Sequence, residues 1–146
     1  MAEELHIAQG GKEEKYALLY KQVTAVAGSE SDTIANMANV AAMIHHTFGF
    51  WWTGFYRVVG DELVLGPFQG PLACSRIAYG RGVCGTAWKE ECTQVVPDVE
   101  LFPGHSACSS ANRSGLTFLS ERNTVRHINA PKPTSCNAFG SKIMSQ

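Results

Sequence analysis

The chemically reactive side chains of this sequence are five cysteines: Cys74, Cys84, Cys92, Cys108 and Cys136. The N-terminal segment lacks the apolar run of a signal peptide, so we expect a reducing, cytoplasmic location, where permanent disulfides are rare. In that setting a cysteine is an inert core residue, a metal ligand or a reactive thiol. The choice among these three roles decides what the protein does.

A zinc site is the weaker explanation. Structural zinc sites usually pair ligands at short spacing, as in C-x2-C, whereas Cys84 and Cys92, the nearest two cysteines, are eight residues apart. His105 and Cys108 supply two ligands at most, and two more would have to come from distant segments. We therefore expect no metal and no bound cofactor.

Three of the cysteines lie among small residues. Cys74 comes shortly after Gly70-Pro71, Cys84 follows Gly80-Arg81-Gly82, and Cys108 follows Gly104-His105. Arg or His near a loop cysteine lowers the pKa of its thiol and so favours an accessible, reactive thiolate. Most cysteines outside disulfides are small buried hydrophobes, so each one alone could be inert, but three in such turns together favour thiol chemistry.

The elements that must position these cysteines predict an α+β domain. Apolar residues recur at helical spacing over Lys12–Ala27 and Thr33–Thr47, giving each helix one apolar stripe. A hairpin follows, with strands over Phe50–Val59 and Glu62–Gly66 around the turn Gly60-Asp61. We expect an antiparallel sheet with the N-terminal helices packed on one face.

The character of the sequence changes at about Gly115. Beyond it the apolar residues follow neither a helical nor a strand period, and Arg, Lys, Asn and Pro are frequent. We predict a domain over residues 12–114 and a poorly ordered tail over 115–146, so that the C-terminal strands of the sheet are missing. A sheet cut short would leave apolar surface bare, and we expect such a chain to fold poorly.

Composition excludes two classes of partner. The 146 residues carry a net charge of −1 and no basic stripe, so nucleic acid is not expected. The apolar runs are much shorter than a membrane-spanning helix requires, so no membrane is expected either.

Five ordered motifs carry a family resemblance. They are Trp52-Thr53-Gly54-Phe55-Tyr56, Leu63 to Gly70, Gly80 to Thr86, Val95 to Val99 and Phe102 to His105. Cys74, Cys84 and Cys108 stand at successive spacings of ten and twenty-four residues. From Lys12 to Ser114 this pattern resembles the free methionine-(R)-sulfoxide reductases, which are single GAF domains.

The resemblance implies an oxidoreductase that reduces free methionine sulfoxide and so acts in oxidative stress. Cys108 would attack the sulfoxide sulfur and become a sulfenic acid, and Cys74 would resolve it as a disulfide that thioredoxin reduces. Cys84 would be a supporting or secondary thiol. Trp52 and Tyr56, which a strand would place on one face, would hold the S-methyl group, although plain core packing is the alternative. A homodimer is compatible with the family.

The sequence departs from the family after Ser114. The family has an acidic residue seven positions after its third cysteine, where this chain has Gly115, and two later aspartates that have no counterpart here. Glu121 is the one acidic residue beyond Ser114. Without carboxylates for the substrate ammonium, we expect weak activity. The alternatives are a GAF-type module that binds a small ligand, and an inactive, truncated or frameshifted homologue.

Overall fold

The computed structural model describes residues 4–104 in full and the backbone of two strands at residues 115–120 and 124–128. The elements in chain order are α1 (Lys12–Ser29), α2 (Thr33–Phe48), β1 (Thr53–Val59), β2 (Glu62–Gln69), β3 (Arg76–Ala78), α3 (Gly82–Glu90), β4 (Gln94–Val96), a 3-10 turn (Val99–Leu101), β5 (Gly115–Ser120) and β6 (Thr124–Ile128).

Both N-terminal helices begin at the predicted residues. The Asp32 carboxylate accepts a hydrogen bond of 2.8 Å from the Ala35 N–H and so caps α2. Gly49 ends that helix in a left-handed conformation, with φ of 65°. Within the described residues, none of the helices is long and apolar enough to cross a membrane.

The strands form one antiparallel sheet in the order β3-β2-β1-β6-β5-β4. In the β1–β2 hairpin Gly54 pairs with Phe68, whereas Tyr56 pairs with Leu65, so β2 contains one extra residue between these pairs. This bulge bends β2 next to the segment that leads to Cys74.

The two faces of the sheet carry different layers. Side chains alternate along a strand, so Trp52 and Tyr56 share one face, and the α3 residues Cys84 and Trp88 pack there. Phe55 points to the other face, where α2 crosses β1 and β2 and α1 packs on α2. The prediction of an α+β domain with both N-terminal helices on one face is confirmed.

The expectation that the C-terminal strands are missing is wrong. Strands β5 and β6 lie between β1 and β4: Tyr56 pairs with Val125, and Val96 pairs with Gly115. Leu116 and Phe118 alternate with Thr117, and Val125 and Ile128 are β-branched, so the segment suits a strand despite its weak pattern. Ladder hydrogen bonds to a neighbour on each side stabilise such short strands.

The domain boundary at Ser114 and the extent of any tail stay predictions. Residues 105–114, 121–123 and 129–146 lie outside the described part of the chain.

We predict that Val125→Pro destabilises the protein by about 3 kcal/mol or more. Val125 pairs with Tyr56 on one side and with Leu119 on the other, and proline removes a donor that a central strand needs. Val125→Ile, which keeps the N–H, is the control. Urea unfolding followed by circular dichroism measures both, and a Val125→Pro protein as stable as wild type would contradict the central position of β6.

Candidate active site

Aromatic rings cover one face of the hairpin. Trp52 stacks on Tyr56 with ring centroids 6.1 Å apart and on Phe68 with centroids 5.5 Å apart. Trp52 is 7% exposed, Tyr56 is 4% exposed, and Leu63 is fully buried beside them. We call the three rings of Trp52, Tyr56 and Phe68, together with Leu63 beside them, the aromatic cluster.

Gly54 allows these rings to approach one another. A Cβ at this position would lie 2.4 Å from the Cβ of Phe68 and 2.6 Å from Cη2 of Trp52. Any larger residue would push the indole away from its stacked position. The Trp-Thr-Gly-Phe-Tyr motif thus requires a glycine between Trp52 and Tyr56 in addition to their two rings.

Tyr56 connects the aromatic cluster to Cys74, the resolving cysteine that the resemblance predicts. Its hydroxyl donates a hydrogen bond of 2.8 Å to the carbonyl oxygen of Cys74. Burial raises the pKa of Tyr56 far above its usual 10.0, and the charge of nearby Cys84 raises it further. The phenol therefore stays a neutral hydrogen-bond donor at physiological pH.

Cys74 lies in the loop between β2 and β3, at residues 70–75. It is half-buried and disulfide-bonded. Ala73 packs against the aromatic cluster, and the carbonyl of Ser75 accepts a 3.0 Å hydrogen bond from the N–H of Leu65. The loop is thereby held against the same face of the sheet as the rings.

Cys84 is the third residue of α3 and carries a thiol. It is half-buried and packs against the aromatic cluster. The turn before it fits tightly on the helix: Gly85 accepts a 3.1 Å hydrogen bond from the N–H of Gly80, and a Cβ at Gly85 would lie 2.7 Å from the carbonyl of Ala78. The structure thus brings Cys74, Cys84, Trp52 and Tyr56 together.

Cys108, the predicted nucleophile, lies outside the described residues, as does His105. Among the described residues no group of three or more His, Cys, Asp or Glu side chains could hold a metal ion.

Cys92, just after α3, is disulfide-bonded. This role was not expected from its acidic sequence context, and no spacing signal in the sequence points to it. Phe68 was also missed as a member of the aromatic cluster. Its position opposite Gly54 in the hairpin register is the feature that places it there.

Curated relatives match most of the chain. A GAF domain-containing protein A from Dictyostelium discoideum is 56% identical over 119 residues, which are 81% of this chain and 75% of that protein. A free methionine-R-sulfoxide reductase from Escherichia coli is 44% identical, over 73% of this chain and 66% of that protein. The chain belongs to the free methionine-R-sulfoxide reductase family. A scan against protein-family models finds no match.

Solved structures agree with this membership. A free methionine-R-sulfoxide reductase from Neisseria meningitidis, determined in complex with its substrate, is 45% identical with a TM-score of 0.78, and the match covers 85% of this chain and 77% of that one. The reduced form of the Staphylococcus aureus protein is 36% identical with a TM-score of 0.74, over 88% and 87% of the two chains. The GAF fold expected from the motifs is therefore confirmed in this family member.

We predict that Gly54→Ala destabilises this family member by about 1–3 kcal/mol, because the added methyl group overlaps Phe68 and Trp52. The near-ultraviolet circular dichroism of the stacked rings should change with it. Gly28→Ala is the matched control, because nothing lies within 4 Å of the Cβ it would add. Equal stability of the two variants in urea unfolding would contradict the close packing at Gly54.

We also predict a loss of stability above pH 10 that comes from Tyr56. Its pKa is higher in the folded than in the unfolded protein, where it is near 10.0, so the folded state holds the proton more tightly. The resulting stabilisation is complete below pH 10 and falls as the pH rises towards the folded-state pKa. Tyr56→Phe lacks this group, so the stability difference between the two proteins should shrink above pH 10. A difference that stays constant would contradict the raised pKa.

Proposed function

We propose that this protein reduces free methionine-(R)-sulfoxide with its cysteines, and that thioredoxin in the cytoplasm restores the reduced enzyme. The observation that carries the proposal is the contact between a buried aromatic pair and a cysteine that forms a disulfide: Tyr56 stacks on Trp52 and hydrogen-bonds the backbone of Cys74. Relatives that are named for this activity support it.

The aromatic cluster supplies the apolar part of the site. An S-methyl group is small and apolar, and the faces of Trp52 and Tyr56 offer it favourable contact with polarisable rings. The neutral Tyr56 phenol adds no charge that would repel a thiolate. We therefore assign Trp52 and Tyr56 to the binding of the substrate's methyl end.

Cys108 is the proposed nucleophile. Its thiolate attacks the sulfoxide sulfur, a proton is taken up, and the oxygen passes to the cysteine sulfur. Methionine sulfur is reduced by two electrons, and Cys108 is oxidised to a sulfenic acid. Cys74 then forms a disulfide with it and water leaves, while Cys84 is a supporting or secondary thiol.

Regeneration of the reduced enzyme requires that the dithiol of thioredoxin reach the Cys74 disulfide. Leu72, two residues from Cys74, is 88% exposed, and Ser75 is exposed as well. An exposed loop beside the disulfide suits attack by thioredoxin through thiol exchange. The homodimer stays a prediction.

We expect the proposed site to bind the ammonium group of the substrate weakly. The family's acidic position is occupied by Gly115, which here begins β5 opposite Val96. Hydrogen bonds to charged groups each contribute about 1.5–3 kcal/mol, so we expect a KM well above that of relatives that keep the carboxylates.

The test is consumption of NADPH by purified protein with thioredoxin, thioredoxin reductase and free methionine-(R)-sulfoxide. We expect slow turnover, and we expect Cys108→Ser to lower kcat by at least about 1,000-fold because it removes the nucleophile. Cys74→Ser should still release the first equivalent of methionine but should slow the later turnovers.

The (S)-sulfoxide and a reaction without thioredoxin are the controls. A folded wild-type protein that forms no methionine would contradict the proposal. Binding of the sulfoxide without turnover would instead favour a GAF-type module that binds a small ligand.

A further inference from the structure

The loop of residues 70–75 is fixed at both ends by its backbone. Gly70 has φ of 121°, and a Cβ there would lie 2.5 Å from the carbonyl oxygen of Trp51. At the other end the carbonyl of Ser75 accepts the hydrogen bond from Leu65. Between these points Pro71 and Leu72 are exposed, whereas Ala73 packs against the aromatic cluster.

The Tyr56 hydroxyl adds a fixed point at the cysteine itself. Its 2.8 Å hydrogen bond reaches the Cys74 carbonyl from a residue 18 positions earlier in the chain, on strand β1. Tyr56 is only 4% exposed, and its ring stacks on Trp52 within a cluster against which Cys84 packs, so the ring has little freedom to move. The backbone of Cys74 is thus tied to the centre of the sheet.

This connection matters for a cysteine that must reach another sulfur. Disulfide formation depends on the effective concentration of the two sulfur atoms, which falls when one of them belongs to a mobile loop. A fixed Cys74 carbonyl restricts the positions that its sulfur can occupy. The Tyr56 phenol, which the proposed function assigns to substrate binding, therefore also restricts the loop at Cys74.

We propose that Tyr56 is a positioning residue for disulfide formation by Cys74, through the hydrogen bond from its hydroxyl group to the Cys74 carbonyl. The proposal rests on the proposed function for the identity of the step. In that step the Cys74 thiolate attacks the Cys108 sulfenic sulfur, an S–S bond forms, the S–O bond breaks, and hydroxide leaves as water with the thiol proton. No electron is exchanged with a further reactant.

The first test follows a single turnover without reductant, with dimedone trapping the sulfenic acid at successive times. Tyr56→Phe keeps the ring and loses the hydroxyl, so the sulfenic acid should persist about 3- to 10-fold longer, the range expected for one lost hydrogen bond. Because Tyr56 is also assigned to substrate binding, the sulfenic acid lifetime is compared at saturating sulfoxide, where a change in substrate affinity does not enter it. Tyr79→Phe, which removes an exposed hydroxyl outside the cluster, is the matched control, and thermal unfolding checks that both variants fold.

The second test needs no sulfoxide. The Cys74 disulfide is brought to equilibrium with a glutathione redox buffer, and its equilibrium constant should fall about 3- to 10-fold in Tyr56→Phe but not in Tyr79→Phe. A sulfenic acid lifetime and a disulfide equilibrium equal to wild type would overturn the positioning role while methionine formation upheld the proposed function. A shifted equilibrium in a protein that forms no methionine would uphold the positioning role and reject the proposed function.

Discussion

The pairing register of β1 with β2 is the constraint from which the rest of the site follows. Gly54 opposite Phe68 and Tyr56 opposite Leu65 place the aromatic rings on one face. A slip by one residue would turn Trp52 and Tyr56 towards α2 and bring Phe55 to the α3 side. Both the bulge in β2 and the lack of a side chain at Gly54 favour the observed register. In this register Gly54 lies opposite Phe68, and no Cβ separates the stacked rings of Trp52 and Phe68.

Strand β1 keeps this register because it is not an edge strand. Strand β6 pairs with it along Gly54 to Arg57, on the side opposite β2. The part of the sequence with the weakest strand pattern therefore supports the strand that carries Tyr56. This arrangement explains how the segment after Ser114, despite its weak strand pattern, completes a sheet of six strands in the described part of the chain.

Much of the fold could be predicted from the residues because the signals are local. The apolar stripes, the Asp32 cap and the Gly60-Asp61 turn each act within a few residues and mark α1, α2 and the hairpin. Strands β5 and β6 could not be predicted in this way, because their stability comes from neighbours distant in sequence. The disulfide at Cys92 was missed for the same reason, since spacing along the chain does not measure distance in space.

In the site, too, some features follow from the local sequence and others depend on contacts between residues that are distant in the chain. The shared face of Trp52 and Tyr56 follows from strand alternation, whereas the bond from Tyr56 to Cys74 depends on how a loop folds back over 18 residues. Under the proposed function, that bond would give Tyr56 two roles: its ring would contact the substrate's methyl group, and its hydroxyl would hold the Cys74 backbone. If a bound methyl group presses on the Tyr56 ring, the force acts directly on the Cys74 backbone. A single side chain would then link substrate binding to the position of Cys74, the proposed resolving cysteine.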